Sequence, residues 1–165
     1  MALHFSKKEF SNRKNTVLLS MKEQNIDALL MFRQESMYWL TGYDTFGYVF
    51  FQTLILDIKG NLTLLTRAPD LRQAQNTSNI EDIRIWIDKD GSNPTDDLKI
   101  ILNEYSLKGK KVGIEYEAYG MTGRNALRLN KSLENYCNTE DQSELITKLR
   151  VIKSQEEIIY VKKAA

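Results

Sequence analysis

The stretch Tyr48-Val49-Phe50-Phe51-Gln52-Thr53-Leu54-Ile55-Leu56-Asp57 is the strongest β-strand pattern in this chain of 165 residues, because β-branched and aromatic side chains dominate it. A turn, Lys59-Gly60-Asn61, and a second apolar run, Leu62-Thr63-Leu64-Leu65-Thr66, follow it. Two such runs around a glycine-containing turn predict a β-hairpin. Helical patterns alternate with short strands elsewhere, so the hairpin predicts an α/β fold with a mixed β-sheet.

The segments around the hairpin supply the other predicted strands and helices. The apolar run Ile26-Asp27-Ala28-Leu29-Leu30-Met31-Phe32 predicts a strand covered on both faces. Residues 83–87 alternate as an edge strand does. Ser6 and Ser154 each stand three residues before a glutamate, a capping box that predicts a helix start. Further strands are predicted at 110–115 and 135–138, and further helices at 36–40, 70–75, 94–105, 122–133 and 141–150.

Composition and charge exclude several classes of function. Lys and Arg number 23 and Asp and Glu 22, so the net charge of +1 offers little attraction to nucleic acid phosphates. No apolar run approaches the ~20 residues of a membrane span, and no apolar segment follows Lys7 and Lys8 as in a signal peptide. His4 and Cys137 are the only residues of their types, which argues against an internal disulfide and a catalytic triad. These features predict a cytoplasmic protein that binds neither nucleic acid nor membrane.

Several charged or nucleophilic residues have plain structural interpretations. Glu115 and Glu117 share one face of a predicted strand, as the paired carboxylates of a glycosidase do, but exposed strand-end charges are the expectation. Cys137 has no nearby histidine to activate it and is expected to be a small apolar filler. Three arginines have acidic neighbours in the sequence and are expected to form surface ion pairs: Arg67, Arg72 and Arg84.

An aromatic cluster is the feature that most favours a binding role. Seven aromatic side chains fall within residues 38–51: Tyr38, Trp39, Tyr43, Phe46, Tyr48, Phe50 and Phe51. An alternating strand places Tyr48 and Phe50 on one face and Phe51 on the other, so they cannot all point into one core. Core packing and an exposed contact surface both remain open for this cluster.

Three segments, taken in order, resemble a known family. Ser36-Met37-Tyr38-Trp39-Leu40-Thr41-Gly42-Tyr43 is similar to an N-x-x-Y-L-T-G-Y motif, with Ser36 and Trp39 as departures. Val112-Gly113-Ile114-Glu115 is similar to V-G-I/V-E, and Leu149-Arg150-Val151-Ile152-Lys153-Ser154-Gln155-Glu156-Glu157-Ile158 to an L-R-x-x-K-S-x-x-E-I linker. Together with the opening helix and the strand after it, they resemble the N-terminal domain of the creatinase, prolidase and aminopeptidase P family, the pita-bread metallohydrolases.

The resemblance implies a fold and a division of labour between domains. It implies a mixed sheet flanked by helices, a motif likened to ribonuclease H, over residues 1–149. Residues 150–165 would be the linker and the start of the first helix of a C-terminal catalytic domain. In that domain two Asp, one His and two Glu hold two divalent metal ions (Mn, Co or Zn), which promote cleavage of an amide-type bond. None of these ligand positions falls in this chain, so the chain alone is expected to be inactive and to bind no metal.

The resemblance also implies partners and site residues. Such proteins form dimers or tetramers in which the N-terminal domain of one subunit reaches over the active-site mouth of its partner, and a homodimer is the expectation here. The segment after Gly42 supplies this contact, which implies a substrate-access role in trans for five residues: Tyr43, Asp44, Phe46, Tyr48 and Phe50. The creatinase branch has a Phe and an Arg where this chain has Tyr48 and Phe50. This departure argues against creatine and suggests a more apolar or differently charged substrate. The family resemblance implies Xaa-Pro dipeptides first, followed by ectoine-type ring amides.

The leading interpretation is a non-catalytic domain of a Xaa-Pro dipeptidase, or of a related C–N hydrolase such as an ectoine hydrolase. Two alternatives to it stay open. The first is a stand-alone protein-interaction module of the pseudo-peptidase type, which binds a protein partner and catalyses nothing. The second is an independent enzyme of ribonuclease H type. Asp57 and Asp88 are its only strand-end aspartate candidates, and a likeness of fold carries no function by itself.

Overall fold

The chain folds around one mixed β-sheet. A computed structural model describes residues 3–165. Within that range the six strands are β1 (Ala28–Met31), β2 (Thr53–Asp57), β3 (Leu62–Arg67), β4 (Asp82–Trp86), β5 (Lys111–Ile114) and β6 (Asn138–Asp141). Their order across the sheet is β4-β3-β2-β1-β5-β6. β2 runs antiparallel to β1 and β3, and all other neighbours are parallel. The mixed sheet, the hairpin and the edge position of β4 are therefore confirmed.

Helices cover both faces of this sheet. The described residues form seven α-helices: α1 (Lys7–Glu23), α2 (Gln34–Thr41), α3 (Leu71–Thr77), α4 (Pro94–Glu104), α5 (Gly123–Leu133), α6 (Leu145–Val151) and α7 (Gln155–Ala164). Ser6 and Ser154 cap α1 and α7, as predicted, through their side-chain oxygens. α2 ends at Gly42, whose φ of 83° is a left-handed conformation that glycine adopts without steric cost.

The apolar run of β1 shows how the two faces are built. Consecutive strand side chains point to opposite sides of a sheet. Ala28 and Leu30 belong to a core cluster shared with α4 and α5, whereas Leu29 and Met31 belong to a second cluster shared with α1, α2, α3 and α6. All four side chains are fully buried. The prediction of a strand covered on both faces is therefore confirmed.

The first strand of the hairpin is shorter than predicted. Its ladder with β3 begins only at Thr53, and residues 47–49 form a single 3-10 turn. On its other side β1 ends at Met31 and the chain continues into α2, so no neighbouring strand extends along this segment. The prediction that Tyr48 and Phe50 alternate along a strand is therefore wrong, and both residues stand on a loop.

The last strand and the helix after it start later than predicted. Asn135 adopts a φ of 56° just after α5, and Tyr136 packs into the core, so β6 begins at Asn138. Residues 138–141 pair with β5. The helix predicted from residue 141 therefore begins at Leu145.

The segment of residues 150–165, here called the linker segment, packs against the beginning of the fold. Glu156 accepts hydrogen bonds from the backbone N–H and the hydroxyl of Ser6, at 2.9 and 2.6 Å. Glu157 accepts one from the indole N–H of Trp39 at 3.0 Å, and its carboxylate lies 3.4 Å from Nη2 of Arg13. These contacts attach α7 to α1 and α2.

Candidate functional site at the aromatic loop

Residues 43–50, here called the aromatic loop, connect α2 to β2 and carry all five predicted site residues. Tyr43 anchors the loop, because its side chain is fully buried and its hydroxyl donates to Oε1 of Gln52 at 3.0 Å. The hydroxyl oxygen of Thr45 accepts the backbone N–H of Gly47 at 2.9 Å. These hydrogen bonds hold the base of the loop in place. Tyr43 therefore positions the loop and is not part of its exposed surface.

The other four predicted residues lie on two flanks of the loop. Asp44 and Phe46 line a groove of about 500 Å³, and Phe46 is 84% exposed. Tyr48 and Phe50 line two other grooves that share no residue with the first. The ring of Tyr48 packs edge-to-face against Tyr119, with centroids 5.7 Å apart. The loop therefore presents Asp44 with Phe46 on its first flank and Tyr48 with Phe50 on its second.

A cation lies beside the second flank. Arg67, the last residue of β3, holds its guanidinium carbon 3.5 Å from the ring centre of Phe50, a cation–π contact. Asp70 and Asp88 pair with the same guanidinium at 3.2 and 3.6 Å. The second flank is therefore an aromatic surface backed by an arginine whose charge two carboxylates neutralise.

Gly120 sets the position of the second flank. A Cβ atom at Gly120 would lie 2.4 Å from the carbonyl oxygen of Phe50 and 3.0 Å from that of Tyr48. The backbone of the loop therefore rests directly on Gly120, which leaves no room for a side chain. Sequence reasoning missed both Gly120 and its neighbour Tyr119, because they lie about seventy residues from the aromatic cluster. The Tyr119-Gly120 pair within a short loop is the only local signal for them.

We expect Gly120→Ala to displace the aromatic loop and to lower the free energy of unfolding by about 1–3 kcal/mol. The added methyl group would overlap the carbonyl of Phe50, which is backbone and has no rotamer to escape into. Urea denaturation followed by circular dichroism measures the loss. Gly123→Ala is the matched control, since a Cβ there meets nothing within 4 Å and alanine favours the first turn of a helix. Equal losses in both variants would contradict this role of Gly120.

Glu115 is buried, so the expectation of an exposed strand-end charge is wrong. β5 ends at Ile114, and the side chain of Glu115 is fully inaccessible to solvent. Its carboxylate accepts hydrogen bonds from the backbone N–H groups of Phe32 and Arg33, both at 3.0 Å, and from the hydroxyl of Ser36 at 2.6 Å. Burial raises the pKa of Glu115 to about 7, and these donors oppose the rise. Glu115 thereby fixes the start of α2, the helix that leads into the aromatic loop.

Glu117 lies in a different environment, so the two carboxylates form no catalytic pair. Its side chain is exposed and pairs with Arg33 at 3.1 Å. Strand alternation would place Glu115 and Glu117 on one face, but the chain leaves the sheet after Ile114 and the alternation ends there.

The surroundings of the remaining candidate residues decide which of the predicted roles they have. Burial raises the pKa of the Cys137 thiol to about 11, so this half-buried residue is not an activated nucleophile. The expected ion pairs form for Arg67 and for Arg84, which pairs with Asp82 and Glu104. Arg72 forms no ion pair with any of residues 3–165, and that prediction is wrong.

Two further searches of the described residues bear on function. Among residues 3–165, no group of three or more His, Cys, Asp or Glu side chains is arranged to hold a metal ion. In the same part of the chain, no helix combines the length and the apolar character needed to cross a membrane.

Comparison with known proteins gives consistent matches over nearly the whole chain. The chain is 30% identical to an uncharacterized hydrolase/peptidase of Sinorhizobium fredii and 26% identical to the ectoine hydrolase of Halomonas elongata. These alignments cover 98% and 99% of this chain but 43% of each relative, so the chain spans less than half the length of the curated relatives it matches. A crystal structure of a prolidase from Thermococcus sibiricus has the same fold, with a TM-score of 0.78 at 24% identity over 94% of this chain and 41% of that one.

The match to a family profile decides the classification. The profile of the creatinase/prolidase N-terminal domain matches residues 13–152. This range includes all six strands, the aromatic loop and the start of the linker segment. The family resemblance seen in the sequence is therefore confirmed. The predicted fold, a mixed sheet flanked by helices, is confirmed as well. The chain belongs to the creatinase/prolidase N-terminal domain family.

Proposed function

We propose that the chain is the non-catalytic N-terminal domain of a longer cytoplasmic hydrolase of the Xaa-Pro dipeptidase or creatinase type. Residues 1–149 form this domain, and residues 150–165 form the linker and the start of a catalytic domain. In a homodimer, the aromatic loop of one subunit borders the substrate entrance of the other. The observation that carries this proposal is the family match over residues 13–152 together with the exposed aromatic side chains of the loop.

The catalytic chemistry is assigned to the following domain. The family resemblance implies two divalent ions (Mn, Co or Zn) in that domain, where they would polarise a carbonyl and activate water. Exposed apolar side chains of the linker segment favour a second domain of the same chain that packs against them. Val151 and Ile152 are 69% and 84% exposed, and Ile159 and Val161 are about half exposed. We propose that the catalytic domain of the same chain covers these side chains.

The surface of the loop favours a small substrate with an apolar ring. Tyr48 and Phe50 supply aromatic surface, and Arg67 holds the Phe50 ring through a cation–π contact while Asp70 and Asp88 neutralise its charge. The position that carries an arginine in creatinases is thus aromatic. Xaa-Pro dipeptides carry an apolar ring, and they suit this surface. Ectoine-type ring amides share this feature and are the second choice, a choice that the likeness to an ectoine hydrolase supports.

We expect Tyr48→Ala and Phe50→Ala, made in the longer enzyme, to raise KM or to lower kcat for Xaa-Pro dipeptides by roughly tenfold or more, because remote contacts orient the substrate. Steady-state kinetics with Mn²⁺ measures the change, and sedimentation confirms that the oligomer is intact. Ile100→Ala is the control, since this residue is 58% exposed on α4 and does not line these grooves. Unchanged kinetics in an intact oligomer would refute the role in substrate access.

The alternative of a stand-alone interaction module makes a different prediction. A reading frame that stops soon after residue 165 would leave the domain without a catalytic partner. A frame that continues for roughly 200 residues, a typical domain length, with two Asp, one His and two Glu in family order supports the hydrolase.

A further inference from the structure

The first flank of the aromatic loop borders a groove that the proposed substrate entrance does not use. This groove, here called the α3 groove, runs between the N-terminal segment, the aromatic loop and α3, and its volume is about 500 Å³. Leu3, Gly42 and Pro69 contribute apolar lining, and most of its surface is apolar. An apolar concave surface of this size gains stability when another molecule excludes water from it.

Phe46 stands on the same groove and is unusual for a surface residue. It lines the α3 groove and is nevertheless 84% exposed, so most of its ring faces solvent. Exposed rings next to an apolar concavity are typical of interaction sites, where aromatic side chains supply much of the binding energy. The groove and the ring therefore form one continuous patch that contains both a concave and a protruding part.

The charges on this patch complement each other. Asp44 and Arg72 are both exposed and both line the α3 groove. Neither forms an ion pair with any of residues 3–165, whereas Arg67 and Arg84 are held by carboxylates of their own chain. In a two-fold interface, residue i of one copy contacts residue j of the other, and the reverse contact forms as well. Because the patch carries one acidic and one basic residue, a two-fold pair of copies would form two Asp44–Arg72 ion pairs.

We infer that the α3 groove binds the α3 groove of a second copy of this chain in a two-fold symmetric pair. Phe46 of each copy packs on the apolar lining of the other, and Asp44 of each copy pairs with the partner's Arg72. The inference rests on the homodimer of the proposed function and adds its contact surface. It divides the aromatic loop between two tasks, with Asp44 and Phe46 joining the subunits while Tyr48 and Phe50 stay free at the substrate entrance.

The pair formed by the 165-residue chain alone is expected to be weak. Exposed ion pairs contribute little to affinity, and the apolar part of the contact centres on one ring from each copy. Sedimentation equilibrium over a wide range of concentrations is therefore the measurement, and we expect a reversible monomer–dimer equilibrium. A chain that remains monomeric at the highest soluble concentration overturns the inference.

Removal of the ring tests the apolar part of the contact. We expect Phe46→Ala to raise the dimer dissociation constant at least tenfold. Tyr119→Ala is the matched control, since Tyr119 is a 73% exposed aromatic residue outside the α3 groove, and its removal is expected to leave the constant within twofold of the original. Equal effects of the two substitutions, or no effect of Phe46→Ala, overturn the inference.

Charge exchange tests the symmetry itself. Asp44→Arg and Arg72→Asp, each alone, place like charges opposite each other and are expected to abolish pairing. An equal mixture of the two variants restores both contacts with opposite signs, so we expect it to form a mixed dimer. Sedimentation velocity with one variant fluorescently labelled detects this species, and circular dichroism confirms the fold of each variant. A mixture that stays monomeric, or single variants that still dimerise, overturns the inference.

These outcomes are independent of the test of the substrate entrance. Failure of pairing leaves the kinetic effects of Tyr48→Ala and Phe50→Ala as they are. If charge exchange disrupts the dimer but Tyr48→Ala and Phe50→Ala leave the kinetics unchanged, the substrate entrance is rejected and the α3 groove contact is retained.

Discussion

Replacing Glu115 with alanine is expected to lower the free energy of unfolding by about 2–4 kcal/mol, a large part of the 5–15 kcal/mol typical of a domain. The carboxylate is the acceptor for the backbone N–H groups of Phe32 and Arg33 and for the hydroxyl of Ser36. The side chains of Phe32 and Ser36 are buried, so water does not readily replace the lost acceptor. Each buried donor left without a partner costs about 1–3 kcal/mol. Urea denaturation at neutral pH, followed by circular dichroism, measures the loss.

Glu115→Gln is the matched control. Its carbonyl oxygen still accepts the two backbone N–H groups, and its amide donates to the oxygen of Ser36. Near pH 4, where Glu115 of the folded native chain is also uncharged, we expect the free energy of unfolding to change by less than about 1 kcal/mol in either direction. A loss as large as that of the alanine variant would show that the position requires a charge and not merely an acceptor.

The glutamine variant also isolates the pH dependence of Glu115. Burial raises the pKa of this carboxyl to about 7 from an ordinary 4.5, so the folded chain binds the proton more tightly than the unfolded chain. Its contribution to stability is therefore complete below the unfolded pKa and is lost as pH rises through the folded pKa. Between about pH 4 and pH 8 the native chain should lose roughly 3 kcal/mol relative to Glu115→Gln. Arg33 is the cation beside this carboxyl. A difference that does not vary with pH would contradict this.

Replacing Arg13 with methionine is expected to lower the free energy of unfolding by about 3–5 kcal/mol, the cost of removing one partner from a buried ion pair. The Arg13 side chain is only 4% exposed, and its Nε donates to Glu9 at 2.9 Å. Nη1 donates to the carbonyl oxygen of Trp39 at 2.7 Å, and Nη2 lies 3.4 Å from Glu157. Methionine keeps much of the apolar stem and removes the guanidinium, so the loss reports mainly on charge and hydrogen bonding.

The same substitution is expected to loosen α7 before the rest of the fold. Arg13 is the only cation that pairs with Glu157 among the described residues, and Glu157 attaches the linker segment to α2 through Trp39. Amide hydrogen exchange should therefore be faster in α7 than in the strands of the sheet. Lys8→Met, an exposed position on the same helix, is the control and should change stability by less than about 0.5 kcal/mol. Unchanged protection of α7 in the Arg13 variant would contradict the coupling.

The capping boxes show how far local patterns predict this structure. At Ser154 both halves of the predicted box form, with Glu157 accepting the backbone N–H of Ser154 at 2.8 Å. At Ser6 only the serine half forms, because Glu9 pairs with Arg13 and a carboxylate from α7 takes the N–H of Ser6. Both helices start where predicted, but the carboxylate that accepts the backbone N–H of Ser6 is that of Glu156, 150 residues away in the chain. The local sequence therefore predicts where a helix begins, whereas tertiary contacts decide which carboxylate completes its cap.

The candidate site divides in the same way between local and distant determinants. The aromatic loop and its glycines are visible in the sequence as one cluster. The burial of Tyr43 depends on Gln52 and the core, and the position of the second flank depends on Gly120. The burial of Glu115 follows from the end of β5 after Ile114, which strand alternation does not show. These properties arise between segments distant in the chain, so periodicity within a short window does not contain them.

The attachment of α7 to the first helix also has a consequence for the order of folding. Ser6 and Glu156 are 150 residues apart in the chain, and a ribosome adds about 5–20 residues per second. The two ends of this contact therefore leave the ribosome roughly 8–30 s apart, far longer than a helix or a hairpin needs to form. During this interval Arg13 has Glu9 but not Glu157, so the α1 surface that α7 covers stays open to solvent. The seam between the earliest and the latest helix therefore cannot close until the last part of the domain has been synthesised.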